Sequence, residues 1–213
     1  MEALTAVLQS DEYEDDGSVR VAQVCWPDDG CILLLDVRAG GSRESRRAFE
    51  VRCAEVRSSR VIGQVCEDAA LYEEHPLLLP YREPQVRLSF RGRPAEPRLL
   101  VADLWNCHQA LLAEWVSFMA FLSPQMPLQE LLAAGSGILA EGPRSVLEAY
   151  AEILAGHGLE SSLLAERPSV RWTATGWQPE RADLQVFVAG ESYVVGAGFD
   201  VREVTLGHRD RVT

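Results

Sequence analysis

Apolar and polar positions along this chain change period twice. From Val19 to Trp26 and from Cys31 to Val37 the residues are densely apolar and often β-branched, and Pro27-Asp28-Asp29-Gly30 between them carries the Asp-Gly signal of a hairpin. A polar, glycine-bearing loop is expected over residues 39–47. Next, Phe49, Val51 and Cys53 alternate with Glu50, Arg52 and Ala54, which predicts a strand over Phe49–Val56 with one buried and one wet face. Further short strands are expected at Arg60–Cys66, Leu77–Tyr81 and Val86–Phe90.

The period then lengthens. From Pro97 to Leu122, Leu100, Leu104, Leu111, Trp115, Phe118 and Leu122 share one side of a helical wheel, and Asp103, Asn106, Ala110, Ala113, Glu114 and Ser117 share another. This predicts one long, mostly buried helix started by Pro97 and stopped by Ser123-Pro124. A short helix is expected from Pro127 to Ala134, broken by Gly135-Ser136-Gly137. Another should run from Pro143 to near Gly156 with Val146, Leu147, Tyr150, Ile153 and Leu154 inward.

Strand patterns return at Val170–Thr175, Leu184–Val188, Ser192–Val195 and Val201–Leu206, with turns at Trp177-Gln178-Pro179-Glu180 and Ala189-Gly190-Glu191. Strands, then helices, then strands predict an α+β fold rather than alternating βαβ units. The expected regions are an N-terminal antiparallel β-rich region over residues 1–96, a helical region over 97–167 and C-terminal antiparallel strands over 168–213, packed as one unit. Gly207–Thr213 is expected to fray.

Composition narrows the class. Of 213 residues 47% are hydrophobic, which excludes general disorder, and no apolar run approaches the roughly 18 residues of a spanning helix. Met1–Gln9 lacks the marks of a signal peptide. Cys25, Cys31, Cys53, Cys66 and Cys107 are odd in number and form no Cys-x-x-Cys pair, so a cytoplasmic location is expected. The net charge of −12 is uneven: about −8 over residues 1–37, +3 over 38–98 and −7 over 99–213. That balance argues against nucleic acid and favours a basic protein partner.

All twenty cationic side chains are arginine, and lysine is absent. Codon usage in a GC-rich genome accounts for this. A second account is selection beside lysine-modifying enzymes, which a lysine-free protein escapes.

The usual actors of catalysis are poorly placed. Ser136 follows a helix and lacks the Gly-x-Ser-x-Gly frame of a nucleophile elbow. Cys107 and His108 are helical neighbours about 100° apart, which predicts a core thiol beside a hydrogen-bonded boundary histidine. Glu67, Asp68, Glu73, Glu74 and His75 match neither zinc nor EF-hand spacing and read as a solvated acidic turn. His157 suits a helix C-terminus, and His208 lies in the tail. No metal and no cofactor are expected.

Interaction material is better. The acids Asp11, Glu12, Glu14, Asp15 and Asp16 form an arm suited to a basic groove. Arg43, Arg46 and Arg47, with Arg52 and Arg57, form a candidate cationic rim, and Trp172 and Trp177 flank a turn. The ordinary alternative is that the tryptophans fill the core and the arginines pair with Glu44, Glu50 and Glu55. The expectation is a non-enzymatic, bacterial, immunity- or inhibitor-like protein that occludes another protein. An accessory or adaptor subunit of a multiprotein, lysine-modifying system is a second reading, and a small enzyme using Cys107 or the His75 segment a third.

Overall fold

The Asp-Gly signal is realised as an antiparallel pair, β1 (Ser18–Cys25) and β2 (Cys31–Arg38), reversed where the Gly30 N–H donates to the Pro27 carbonyl. The computed structural model describes residues 1–11, 13, 17–28, 30–39, 46–122 and 126–205. Asp29, most of the 39–47 loop, the Ser123-Pro124 stop and the Gly207–Thr213 tail lie outside the described residues. The fold is α+β with antiparallel sheets, and the chain divides into two compact units, residues 1–75 with 183–213, and residues 76–182.

The first unit holds a seven-stranded sheet. Its remaining strands are β3 (Arg46–Arg60), β4 (Val65–Cys66), β5 (Ala69–Tyr72), β11 (Gln185–Ala189) and β12 (Ser192–Val204), in the order β4-β1-β2-β3-β12-β11-β5. The sheet's two edges, β4 and β5, are separated only by Glu67-Asp68, so the sheet curls until consecutive stretches of chain close it from both sides. Strict alternation on β2 sends Cys31, Leu33, Leu35 and Val37 inward to meet Phe49, Val51, Phe187 and Val194, and Leu4 and Val7 of helix α1 (Glu2–Leu8) join this core. β3 pairs with β12 from Ala48↔Val204 to Arg60↔Tyr193, around a bulge at Val195/Gly196.

Two expectations in this unit need correction. Residues 61–64 are irregular rather than strand, so the expected Arg60–Cys66 strand is divided between the end of β3 at Arg60 and the short β4, and Ser192–Val204 is one continuous strand rather than two. The long strand survives its interior glycines because each stretch of it has a partner, β11 along Ser192–Gly196 and β3 along most of its length.

The second unit packs helices on a three-stranded sheet of β6 (Gln85–Arg91), β7 (Ser136–Pro143) and β8 (Glu160–Arg167), in the order β7-β6-β8. Helices α3 (Pro97–Leu112) and α6 (Arg144–Gly156) contribute Leu100, Leu104, Leu112, Val146, Leu147, Tyr150 and Leu154 to its core, above Val86, Leu88, Phe90 and Leu139. The expected strand at Leu77–Tyr81 is instead a 3-10 turn (Pro76–Leu78) running into a short helix α2 (Leu79–Arg82), as its two prolines favour. Helix α5 (Leu128–Ala134) ends on Gly135, at φ +75°, whose N–H reaches the Leu131 and Leu132 carbonyls.

The single helix expected over 97–122 breaks at Ala113, which adopts φ +48°, and resumes only as the short α4 (Phe118–Phe121). The register changes with it: Leu112 is buried and Leu111 exposed. A hydrogen bond from within α3 fixes the reversal, as described below. β9 (Val170–Thr173) and β10 (Gly176–Pro179) form a separate hairpin. Trp177–Pro179 of the expected turn is therefore strand, and the chain reverses at Ala174-Thr175.

Candidate protein-interaction site

The β9–β10 hairpin is built from its turn outward. Thr173 Oγ1 donates to the Gly176 carbonyl at 2.9 Å and accepts the Thr175 N–H, while Gln178 Nε2 donates to Thr175 Oγ1 at 2.9 Å. Gly176 takes φ +110°, a conformation that favours glycine. At the base, Ser169 Oγ donates to the Glu83 carbonyl at 2.6 Å, tying the hairpin to the segment after α2.

Pairing then decides which side chains share a face. Val170 lies opposite Pro179 and Trp172 opposite Trp177, so the two-residue period puts all four on one side. The tryptophans meet edge to face at 5.3 Å and are 68% and 69% exposed; Val170 is also open to solvent. Two tryptophans two-thirds open leave on the order of 300 Å² of aromatic surface. That equals the largest apolar patch of many monomers, concentrated on one hairpin. The alternative in which these tryptophans fill the core fails.

The arginines are distributed otherwise than the proposed rim. Arg46 grips Asp36 with its fork, Nε to Oδ1 at 2.5 Å and Nη2 to Oδ2 at 2.9 Å. Arg20 and Arg38 approach the same Oδ2 at 3.5 and 3.8 Å, and Asp36 itself is only 3% exposed. Arg47 makes a loose surface pair with Glu203 at 3.9 Å. Arg52 and Arg202 both donate to Glu50, and these bonds, Arg52's first, hold its carboxyl below the usual range despite partial burial. Arg57 pairs with Glu55 at 3.0 Å. Arg43 lies outside the described residues. The sequence reading missed Asp36, Arg20 and Arg38, although period two along β2 places Asp36 and Arg38 on its outward side with Ile32 and Leu34.

Of the acidic arm, Asp11 is exposed; Glu12, Glu14, Asp15 and Asp16 lie outside the described residues. Tyr13, in the middle of the run, is a core residue. Its hydroxyl donates to the Glu67 carbonyl at 2.5 Å, and burial first, then the charges of Cys66, Asp68 and Glu67, push it up to about 12.

Cys107 and His108 form no dyad. His108 is fully buried rather than at a boundary: its Nε2 lies 2.7 Å from the Val116 carbonyl and its Nδ1 2.7 Å from the Tyr150 hydroxyl. A carbonyl only accepts, so Nε2 carries the proton and Nδ1 accepts from Tyr150. This bond captures Val116 just past Ala113 and holds the reversal that ends α3. Cys107 packs beside the core, where burial and then Glu152 push its thiol up.

Burial lowers His75, which lies against Tyr72, while Glu67, Asp68, Glu73 and Glu74 are exposed. No three His, Cys, Asp or Glu side chains among the described residues gather closely enough to hold a metal ion. Ser136 opens β7 and stands on no strand-to-helix turn. His157 ends α6 and also bonds Asp103 of α3 at 2.8 Å, joining the two helices. No helix among the described residues is long and apolar enough to cross a membrane. Set against protein-family models, curated proteins and solved structures, the chain matches none of them.

Proposed function

We propose that this chain is a non-enzymatic, cytoplasmic protein-binding protein of the immunity or inhibitor type, which occludes its partner through the β9–β10 hairpin. The observation that carries the reading is the Trp172–Trp177 pair, held rigid across a hairpin and open to solvent. Tryptophan is the commonest anchor of interfaces, and burying two such rings supports a contact with few other strong points. The net charge of −12 selects a basic partner and speeds encounter with it.

The test compares the wild type with Trp172→Ser/Trp177→Ser as bait in the native host, followed by titration of the purified captured protein. The reading expects one stoichiometric partner whose activity is inhibited at 1:1 and whose affinity falls about 100-fold or more in the double variant. Equal capture by both baits, or a captured protein that is bound without being inhibited, refutes it.

A further inference from the structure

We propose that the outward face of the β1–β2–β3 sheet carries a binding site for a phosphate monoester, built by Arg20, Arg38 and Arg46 around Asp36. The proposal uses no residue of the hairpin and stands whether or not the hairpin binds a protein.

Register assembles it. Arg20 lies opposite Asp36 across β1 and β2, and Arg38 lies opposite Arg46 across β2 and β3, so residues distant in sequence converge on one patch. Three guanidinium groups stand within 4 Å of a single carboxylate. The carboxylate is 3% exposed, whereas Arg20, Arg38 and Arg46 are 45%, 60% and 46% exposed. Asp36 is thus a buried floor under three half-open cations.

Their hydrogen bonding is unequal. The fork of Arg46 is spent on Asp36 in two short bonds. Arg20 and Arg38 stand too far from Oδ2 for a hydrogen bond, and among the described residues no other acid lies within ion-pair distance of either. Two planar donor sets therefore face solvent with no strong acceptor.

Among the described residues of the cluster, three positive charges over one negative leave an excess of two in a chain whose net charge is −12. A phosphate monoester carries about −1.5 to −2 near neutrality and offers three acceptor oxygens. It matches both the charge excess and the bidentate geometry of guanidinium groups, whereas a carboxylate supplies one charge and two oxygens. The phosphate could be carried by a small metabolite or by a phosphorylated side chain of a protein; the recognising chemistry is the same.

Calorimetric titration of the full chain tests this with inorganic phosphate, with a phosphoserine peptide and with its unphosphorylated counterpart, at about 20 and about 200 mM NaCl. The site predicts saturable 1:1 binding of phosphate that weakens at the higher salt, and no binding of the unphosphorylated peptide. Arg20→Gln/Arg38→Gln, which leaves the Arg46–Asp36 pair intact, should weaken phosphate about tenfold or more while keeping the wild-type melting temperature within a few degrees. Asp36→Asn should tighten it, by releasing the Arg46 fork and removing a negative charge. A phosphoserine peptide bound at least about tenfold more tightly than phosphate assigns the site to a phosphorylated protein; equal affinity assigns it to a small phosphorylated molecule. Absence of saturation with every phosphorylated probe, or unchanged affinity in Arg20→Gln/Arg38→Gln, overturns the proposal.

Discussion

Replacing Tyr150 by Phe removes one oxygen from the second unit and nothing else. Both Tyr150 and His108 are fully buried, and their 2.7 Å bond is the one that satisfies His108 Nδ1. Ring volume is almost conserved, so cavity formation contributes little and the cost is that of an unmet buried acceptor. That cost is about 1–3 kcal/mol, and with a urea m-value near 2 kcal/mol/M it lowers the midpoint by about 0.5–1.5 M. The assay is urea unfolding by tryptophan fluorescence in a Trp26→Phe background, because the four remaining tryptophans all belong to the 76–182 unit. Trp105, 6.5 Å from the His108 ring and edge-on to Phe118, reports this core directly. In parallel, long-range proton–nitrogen NMR should place the His108 proton on Nε2 in the wild type. A midpoint shift below about 0.2 M would refute the reading of His108 Nδ1 as a buried acceptor that depends on the Tyr150 hydroxyl.

Two further outcomes follow from the first unit. Burial pushes the thiols of Cys31 and Cys53 up to about 11, while Cys25 is exposed; a disulfide reagent near pH 8 should label Cys25 fastest and reach Cys31 and Cys53 only on unfolding, and comparable early labelling of all three would contradict the described core. Tyr13 is pushed up to about 12 from 10.0, so the folded state favours the neutral phenol. Its contribution is fully present below pH 10 and is lost as pH rises through about 12, so wild-type stability should fall more steeply across that window than that of Tyr13→Phe; parallel curves would contradict the assignment.

Local signals were legible where local forces decide. The β1–β2 hairpin, helices α5 and α6 and strand β6 follow their turn residues and periodicity closely. Sequence patterns failed where tertiary contacts decide. Ala113 at φ +48° carries no breaker signal, because a histidine five residues earlier holds the turn that follows it. His108 occupies a core position that a polar reading assigns to the boundary, since only the fold reveals Tyr150 as its partner. β7 and β8 went unseen: β7 begins inside Gly135-Ser136-Gly137, which reads as a break, and β8 has no buried residue. The exposure of Trp172 and Trp177 was legible because they lie near a turn, although that turn sits between them rather than after them. The Asp36 cluster was illegible, because it requires the register of three strands at once.

The large sheet is paired on both sides only in part. Its outermost strands are two and four residues long, so among the described residues Val21–Cys25 of β1 has only β2 beside it, Glu55–Arg60 of β3 only β12, and Ala197–Val204 of β12 only β3. One edge of the ladder is unpaired along these stretches, and that is where an added strand would template itself. Charged side chains stand on them, Glu55 and Arg57 on β3 and Arg202 and Glu203 on β12, and charge on an unpaired edge is an ordinary guard against such addition.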